Sequence, residues 1–171
     1  MTGIQKLQSD FPQVFQCKSL LYVGATPSKW THFLDIFKLA DWEPTVLEID
    51  VVNVNDLKSM GIKTIHGDVR NIRSLCGDKS FDVILWEDGP EHIYAGDFVS
   101  TIPQLITVAK RFVIMECPEG RRGHTVTGPM LERQLSEIYK NTFDKYGIKS
   151  YLLPQPTKPK DLRVLSVYVH E

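Results

Sequence analysis

The sequence is poor in cysteine, and the cysteines it has are not placed to staple or chelate anything. Cys17, Cys76 and Cys117 are odd in number and far apart, with no C-x-x-C pair. That spacing speaks against a disulfide framework and against a zinc knuckle. Three isolated, reduced, partly buried thiols are expected. Long apolar runs are also missing; none approaches the roughly 18 residues that a membrane span needs. The stretch MTGIQKLQSDFPQ lacks the apolar centre of a signal peptide. A cytoplasmic protein with no membrane partner is the expectation. Excess charge of either sign is absent: 20 basic and 21 acidic residues give a net charge of −1. Such a balance does not favour wrapping nucleic acid. No repeat, low-complexity tract or linker divides the chain.

What remains is ordinary globular composition, with 42% hydrophobic and 24% charged residues in 171. A chain of this length buries roughly 70% of its unfolded surface, enough for a full core without metal or disulfide support. A single domain over residues 1–171 is expected, with residues 1–18 as an N-terminal cap. The charge is uneven along it. No Lys or Arg lies between Lys79 and Lys110, yet that interval holds Asp82, Glu87, Asp88, Glu91 and Asp97. The one basic cluster, Lys158, Lys160 and Arg163, has no aromatic residues interleaved for base stacking.

Short apolar runs alternate with helix-like stretches. Ser19–Gly24, Pro44–Ile49, Lys63–His66, Phe81–Trp86 and Arg111–Glu116 read as five strands. Helical patterns fall at Thr31–Leu39, Asn53–Gly61 with Asn53 as its cap, Ile72–Cys76, Ala95–Ala109 and Pro129–Tyr146. Ile148–Leu153 and Leu162–His170 look like two further strands, joined by the proline-bearing loop PQPTKPKD. Alternation of this kind gives a parallel sheet with helices on both faces, ending here in an antiparallel β-hairpin.

Ligands of an open parallel sheet bind outside the carboxyl ends of its strands, near the reversal of strand order. The residues there are Gly24-Ala25-Thr26-Pro27-Ser28, Glu48-Ile49-Asp50, Gly67-Asp68-Val69, Glu87 to His92, and Cys117 to Gly120. The set is acidic and carries glycine. A glycine turn lets backbone approach a ligand closely. A carboxylate matches the two donors of vicinal ribose hydroxyls, and either Glu48 or Asp50 is placed for that. Asp68 can accept from an adenine amine, and the Val69 amide can bond the ring. His92 suits a general base for a hydroxyl or amine. Asp88 and Glu87 can meet a positive centre, and Glu91 flanks the histidine. A metal site is not expected from Asp88, Glu91 and His92, three residues bunched on one loop. Trp86 reads as core and Trp30 as more exposed. Arg121, Arg122 and His124 lie in a glycine-flanked loop past the fifth strand.

The segments LYVGATPS, VLEID, GDVRNI and FDVILWEDGPEHI, in this order, resemble the cofactor motifs of class I S-adenosylmethionine-dependent methyltransferases. The run VLEIDVVNVNDLK, then GDVR, then GPEH is similar to a group of small bacterial members. The resemblance implies a Rossmann-like three-layer α/β/α sandwich, mostly parallel, with a C-terminal antiparallel hairpin. It implies S-adenosylmethionine as cofactor, held by Gly24, Ala25, Thr26, Ser28, Glu48, Asp50, Asp68, Val69 and Glu87. It implies methyl transfer to a small molecule, a sugar or glycan precursor among the options, with His92, Asp88 and Glu91 at the reacting end. The short connections, with no inserted substrate domain, lead to the expectation of an open site or one completed by a second subunit in a homodimer. The family's first motif carries an acid and three glycines. Here Tyr22 stands at the acid position, and Thr26 and Ser28 replace two glycines. Pro27 removes an amide donor. Those departures motivate the alternative: a methyltransferase-like module that binds or scaffolds without catalysis. A dinucleotide fingerprint and a phosphate-binding P-loop both fail for want of glycines and of G-K-[ST].

Overall fold

The computed structural model describes residues 3–37, 40–118, 140–155 and 158–170. One sheet is built from β1 (Ser19–Val23), β2 (Glu43–Glu48), β3 (Thr64–His66), β4 (Phe81–Glu87), β5 (Ala109–Pro118), β6 (Lys149–Gln155) and β7 (Lys158–Val169). Its order is β3-β2-β1-β4-β5-β7-β6. The first five strands are parallel, and β7 runs antiparallel between β5 and β6. The chain moves outward from β1 to β3, then returns beside β1 as β4. The reversal therefore falls between β1 and β4, where a doubly wound sheet opens its ligand crevice.

Successive side chains of a strand point to opposite faces, and the core divides accordingly. Leu20, Tyr22, Val46, Val83, Leu85, Phe112 and Ile114 pack on one face with Leu7 of α1 (Gly3–Asp10), Trp30 of α2 (Pro27–Phe37) and Leu57 of α3 (Val51–Ser59). Leu21, Val23, Leu47, Ile84, Trp86, Val113 and Met115 pack on the other. Ile72 of α4 (Ile72–Cys76) covers that second face together with Phe98, Ile102 and Leu105 of α5 (Ala95–Val108). The result is the three-layer α/β/α sandwich with a mostly parallel sheet. Asp82 ties the opposite end together, accepting from the Lys18 and Ser19 amides at 3.2 and 2.9 Å.

Several expectations need correction. α2 starts at Pro27, one turn before Thr31, which turns Trp30 into the core at 8% exposure. The cap of α3 is Asp50 rather than Asn53: its Oδ1 accepts from the amides of Val52 and Asn53 at 2.7 and 3.3 Å. An α-helix and a 3-10 turn (Pro12–Gln16) fill the segment before β1. Most of the expected loop PQPTKPKD is strand. Of its prolines, Pro154 falls on β6, an edge strand, where a missing amide donor is tolerated. Of the expected helix Pro129–Tyr146, residues 140–146 are helical and Phe143 is buried; Leu131, Leu135 and Ile138 lie outside the described residues. α5 continues through Pro103.

The cap makes a stability prediction. Asp50→Ala should cost about 1 kcal/mol, or about 2–4 °C in melting temperature, read by thermal unfolding. An unchanged melting temperature would mean that the cap contributes nothing.

Candidate functional site

The turn after β1 leads away from the sheet at its carboxyl end. Gly24 has φ +72°, a left-handed conformation, and a side chain added there would meet nothing within 4 Å. Its amide donates to the Leu47 carbonyl of β2 at 2.8 Å. Ala25 is buried behind it. Thr26 Oγ1 accepts from the Lys29 amide at 3.3 Å and lies 3.4 Å from Ser28 Oγ. Both hydroxyls thus sit at the start of α2, close to the glycine turn.

The two acids after β2 have separate jobs. Asp50 is spent on capping α3. Glu48 ends the strand and is buried, with Oε1 accepting from the Asp50 amide at 2.8 Å. Ile49 between them is 60% exposed. At the end of β3, Asp68 caps a 3-10 turn and holds its own neighbour: Oδ1 accepts from the Arg70 amide and Oδ2 from the Arg70 guanidinium, both at 2.9 Å. The Arg70 guanidinium holds the Asp68 carboxyl below the usual carboxylate range. Val69 is buried.

The exit of β4 carries most of the charge. Glu87 pairs across the ladder with Glu116 of β5, so two carboxylates leave the sheet side by side. Asp88 follows at φ +47°. Gly89 lies against the Trp86 indole, where a side chain would collide with Nε1. These acids are balanced from elsewhere in the chain. Arg163 of β7 donates from Nη2 to Asp88 Oδ1 at 2.5 Å and from Nε to Glu116 Oε1 at 2.7 Å, and Nη2 lies 3.8 Å from Glu87 Oε1. Lys29 of α2 donates from Nζ to the Glu87 carbonyl at 3.1 Å, with Asp88 Oδ2 at 3.6 Å. Tyr22 donates its hydroxyl to Glu87 Oε2 at 3.1 Å. Tyr22, at the position where the resemblance implies an acid, is thus a phenol bonded to the acid on β4.

Burial, then the charges of Asp88 and Glu116, push the Glu87 carboxyl up to about 7 against the pull of Arg163 and Lys29. Burial first, then the charge of Glu87, raises the Tyr22 hydroxyl. Burial pushes the Cys117 thiol up to about 12, with Glu91 adding to it. Burial also raises Glu91, whose Oε2 has no hydrogen-bond partner among the described residues. Glu91 and His92 lie on a 3-10 turn (Pro90–His92), with His92 Nε2 4.0 Å from Glu91 Oε1 and the imidazole 59% exposed.

The structure thus groups Glu87, Asp88, Glu91 and His92 at one strand exit and Gly24, Thr26 and Ser28 at its neighbour. It separates Asp82, at the far end of β4, and Asp97, which pairs with Arg70 at 3.0 Å on the surface. The acidic interval is therefore not one surface. Arg163 is no free cation of a basic tail, and sequence reasoning missed its role and that of Glu116. A signal was present: an interval with three acids at one strand exit and no Lys or Arg requires counter-ions from elsewhere. Arg121, Arg122, His124, Glu119 and Gly120 lie outside the described residues. Among the described residues, no group of three or more His, Cys, Asp or Glu side chains is placed to hold a metal ion. Among them, too, no helix is long and apolar enough to cross a membrane.

No protein-family profile and no curated protein matches the sequence. Solved structures do match in shape. A SAM-dependent methyltransferase from Archaeoglobus fulgidus superposes with a TM-score of 0.66 at 13% identity, covering 96% of this chain and 92% of that one. Magnesium protoporphyrin IX methyltransferase from Synechocystis PCC 6803, with bound SAH, gives 0.69 at 13% identity over 98% and 80%. A SAM-dependent methyltransferase from Aquifex aeolicus gives 0.62 at 15% identity over 99% and 100%. The fold is that of the class I S-adenosylmethionine-dependent methyltransferases.

The raised Glu87 carboxyl carries a pH prediction. An acid held above its ordinary value of 4.5 favours the fold below that pH, and the benefit is lost as pH rises through about 7. Urea unfolding between pH 5 and 8 should show wild-type stability falling relative to Glu87→Gln by on the order of 3 kcal/mol. Parallel curves would show that Glu87 ionises normally.

Proposed function

We propose that this protein is an S-adenosylmethionine-dependent methyltransferase acting on a hydroxyl or amine of a small molecule. One observation carries the reading: the left-handed turn at Gly24 opens onto free space, and its amide is bonded to the carbonyl of Leu47, one residue before Glu48, the acid that ends the neighbouring strand. That pairing of a bare backbone turn with a carboxylate suits a ribose-bearing ligand. In this reading Glu48 accepts the ribose hydroxyls, since Asp50 is committed to its helix. Asp68 and the Val69 amide face the adenine, and exposed Ile49 offers it an apolar edge. Thr26, Ser28 and the Ala25 backbone line the approach to the amino-acid end, near Glu87.

When bound, the cofactor supplies an electrophilic methyl on a sulfonium, whose carbon–sulfur electron pair returns to sulfur as the new bond to oxygen or nitrogen forms. The chain's own task is to align the acceptor and take its proton. His92 takes that proton on Nε2 and passes it to water. Glu91 stands beside the imidazole to stabilise its charged form, and Asp88 fixes the turn through Arg163. A second reading, a binding module without catalysis, is favoured by Lys29, whose ammonium lies across the β1–β4 mouth.

Thermal unfolding with S-adenosylhomocysteine tests the first step. Ligand at about 100 times its dissociation constant should add roughly 2.7 kcal/mol, about 5–10 °C at this chain length. Glu48→Ala should weaken binding by roughly tenfold or more. No shift at millimolar ligand would overturn the methyltransferase reading, and saturable binding without any turnover over a panel of hydroxyl and amine acceptors would favour the module.

A further inference from the structure

Lys29 sits where a cation has no local reason to be. It occupies the first turn of α2 (Pro27–Phe37), the end of a helix that disfavours positive charge. Its ammonium is instead held across the crevice by the Glu87 carbonyl at 3.1 Å and by Asp88 Oδ2 at 3.6 Å. That carbonyl is open for a topological reason. β1 and β4 stay in register up to Val23 and Trp86, and β1 then turns away at Gly24. A backbone carbonyl and a carboxylate, both at the mouth between β1 and β4, form a receptor for an ammonium group.

We propose that Lys29 is an internal stand-in for the α-ammonium of the ligand and exchanges places with it. The inference rests on the adenosyl-ligand reading above. A ligand whose ribose is held at the end of β2 and which runs toward β4 crosses two strand spacings, roughly 10 Å. Its amino-acid end then arrives at the Glu87 carbonyl and Asp88. Two ammonium groups cannot share these acceptors, so Lys29 leaves. Its side chain is 27% exposed on a flexible four-carbon stem. The Lys29 amide stays bonded to Thr26 Oγ1, which keeps the stem beside the glycine turn. The displaced ammonium regains a partner only if the incoming group also carries a carboxylate. Lys29 thereby makes the site selective for a complete α-amino acid end. A ligand with an ammonium alone expels Lys29 without compensation, and one with neither group leaves it in place.

Three adenosyl thioethers separate these cases by calorimetric titration: S-adenosylhomocysteine, its decarboxylated analogue S-adenosyl-3-thiopropylamine, and 5′-methylthioadenosine. Wild-type protein should prefer S-adenosylhomocysteine over the amine by roughly tenfold or more, the worth of one charge-assisted contact. Lys29→Met should reduce that preference to within about twofold and should bind the amine more tightly than wild type does. Its affinity for 5′-methylthioadenosine should stay within about twofold of wild type, and Lys29→Arg should retain the preference for the carboxylate. An equal loss of affinity for all three ligands in Lys29→Met would assign Lys29 a purely structural role and overturn the proposal. So would an unchanged preference. If wild-type protein binds 5′-methylthioadenosine but Lys29 has no effect on the preference, the exchange fails while the adenosyl site stands. If it binds none of the three, the adenosyl reading fails and the exchange with it.

Discussion

Arg163 is the cation around which the carboxyl end of the sheet is assembled. Parallel pairing of β4 and β5 brings Glu87 and Glu116 level with each other, and Asp88 follows in a left-handed turn. Three neighbouring carboxylates at a half-buried strand end would repel one another and lose hydration. The guanidinium fork answers this with planar, directed donors to Asp88 and Glu116 and a longer contact to Glu87. Burial works against the charge on Arg163, yet Glu116 and Asp88 outweigh it and hold the group protonated. Removing one member of such a buried network typically costs about 3–5 kcal/mol, because the partners remain buried and uncompensated. The position of the β4 exit, and of every side chain beyond it, therefore depends on a strand that arrives late in the sequence.

The opposite wall of the crevice follows a simpler rule. Two acids spaced by one residue at the end of β2 look equivalent by alternation, but the helix that follows distinguishes them. A helix needs an acceptor for its first free amides, and Asp50 is the residue in register for that. Glu48 is left at the strand end, bonded to the Asp50 amide and one residue beyond Leu47, whose carbonyl takes the Gly24 amide. Capping thus separates two acids that the alternation leaves equivalent.

The sequence revealed the sheet better than it revealed the charges. Central parallel strands are covered on both faces and read as unbroken apolar runs, so Phe81-Asp82-Val83-Ile84-Leu85-Trp86 marked β4 to within one residue. Strand exits are legible too, which is why Gly24, Glu48, Asp68 and Glu87 stand out in the sequence itself. Trp30 was misread because α2 begins a turn earlier than its apolar pattern suggests. Arg163 was misread because its neighbours in sequence, Lys158 and Lys160, made a basic tail of it. Its true partners lie 47 and 75 residues away. Counter-ions of that range leave no periodicity to follow; only the missing cations between Lys79 and Lys110 hinted at them.

The insertion of β7 between β5 and β6 has a consequence for the nascent chain. Asp88 emerges from the ribosome 75 residues ahead of Arg163, roughly 4–15 s at common elongation rates. During that interval β1 to β5 can associate, but β5 presents an open, apolar edge and its end carries Glu116 without its guanidinium partner. Open strand edges recruit other chains. The repulsion at the β4 and β5 exits then works in the molecule's favour, discouraging a second nascent copy from pairing along the same edge until β7 fills it.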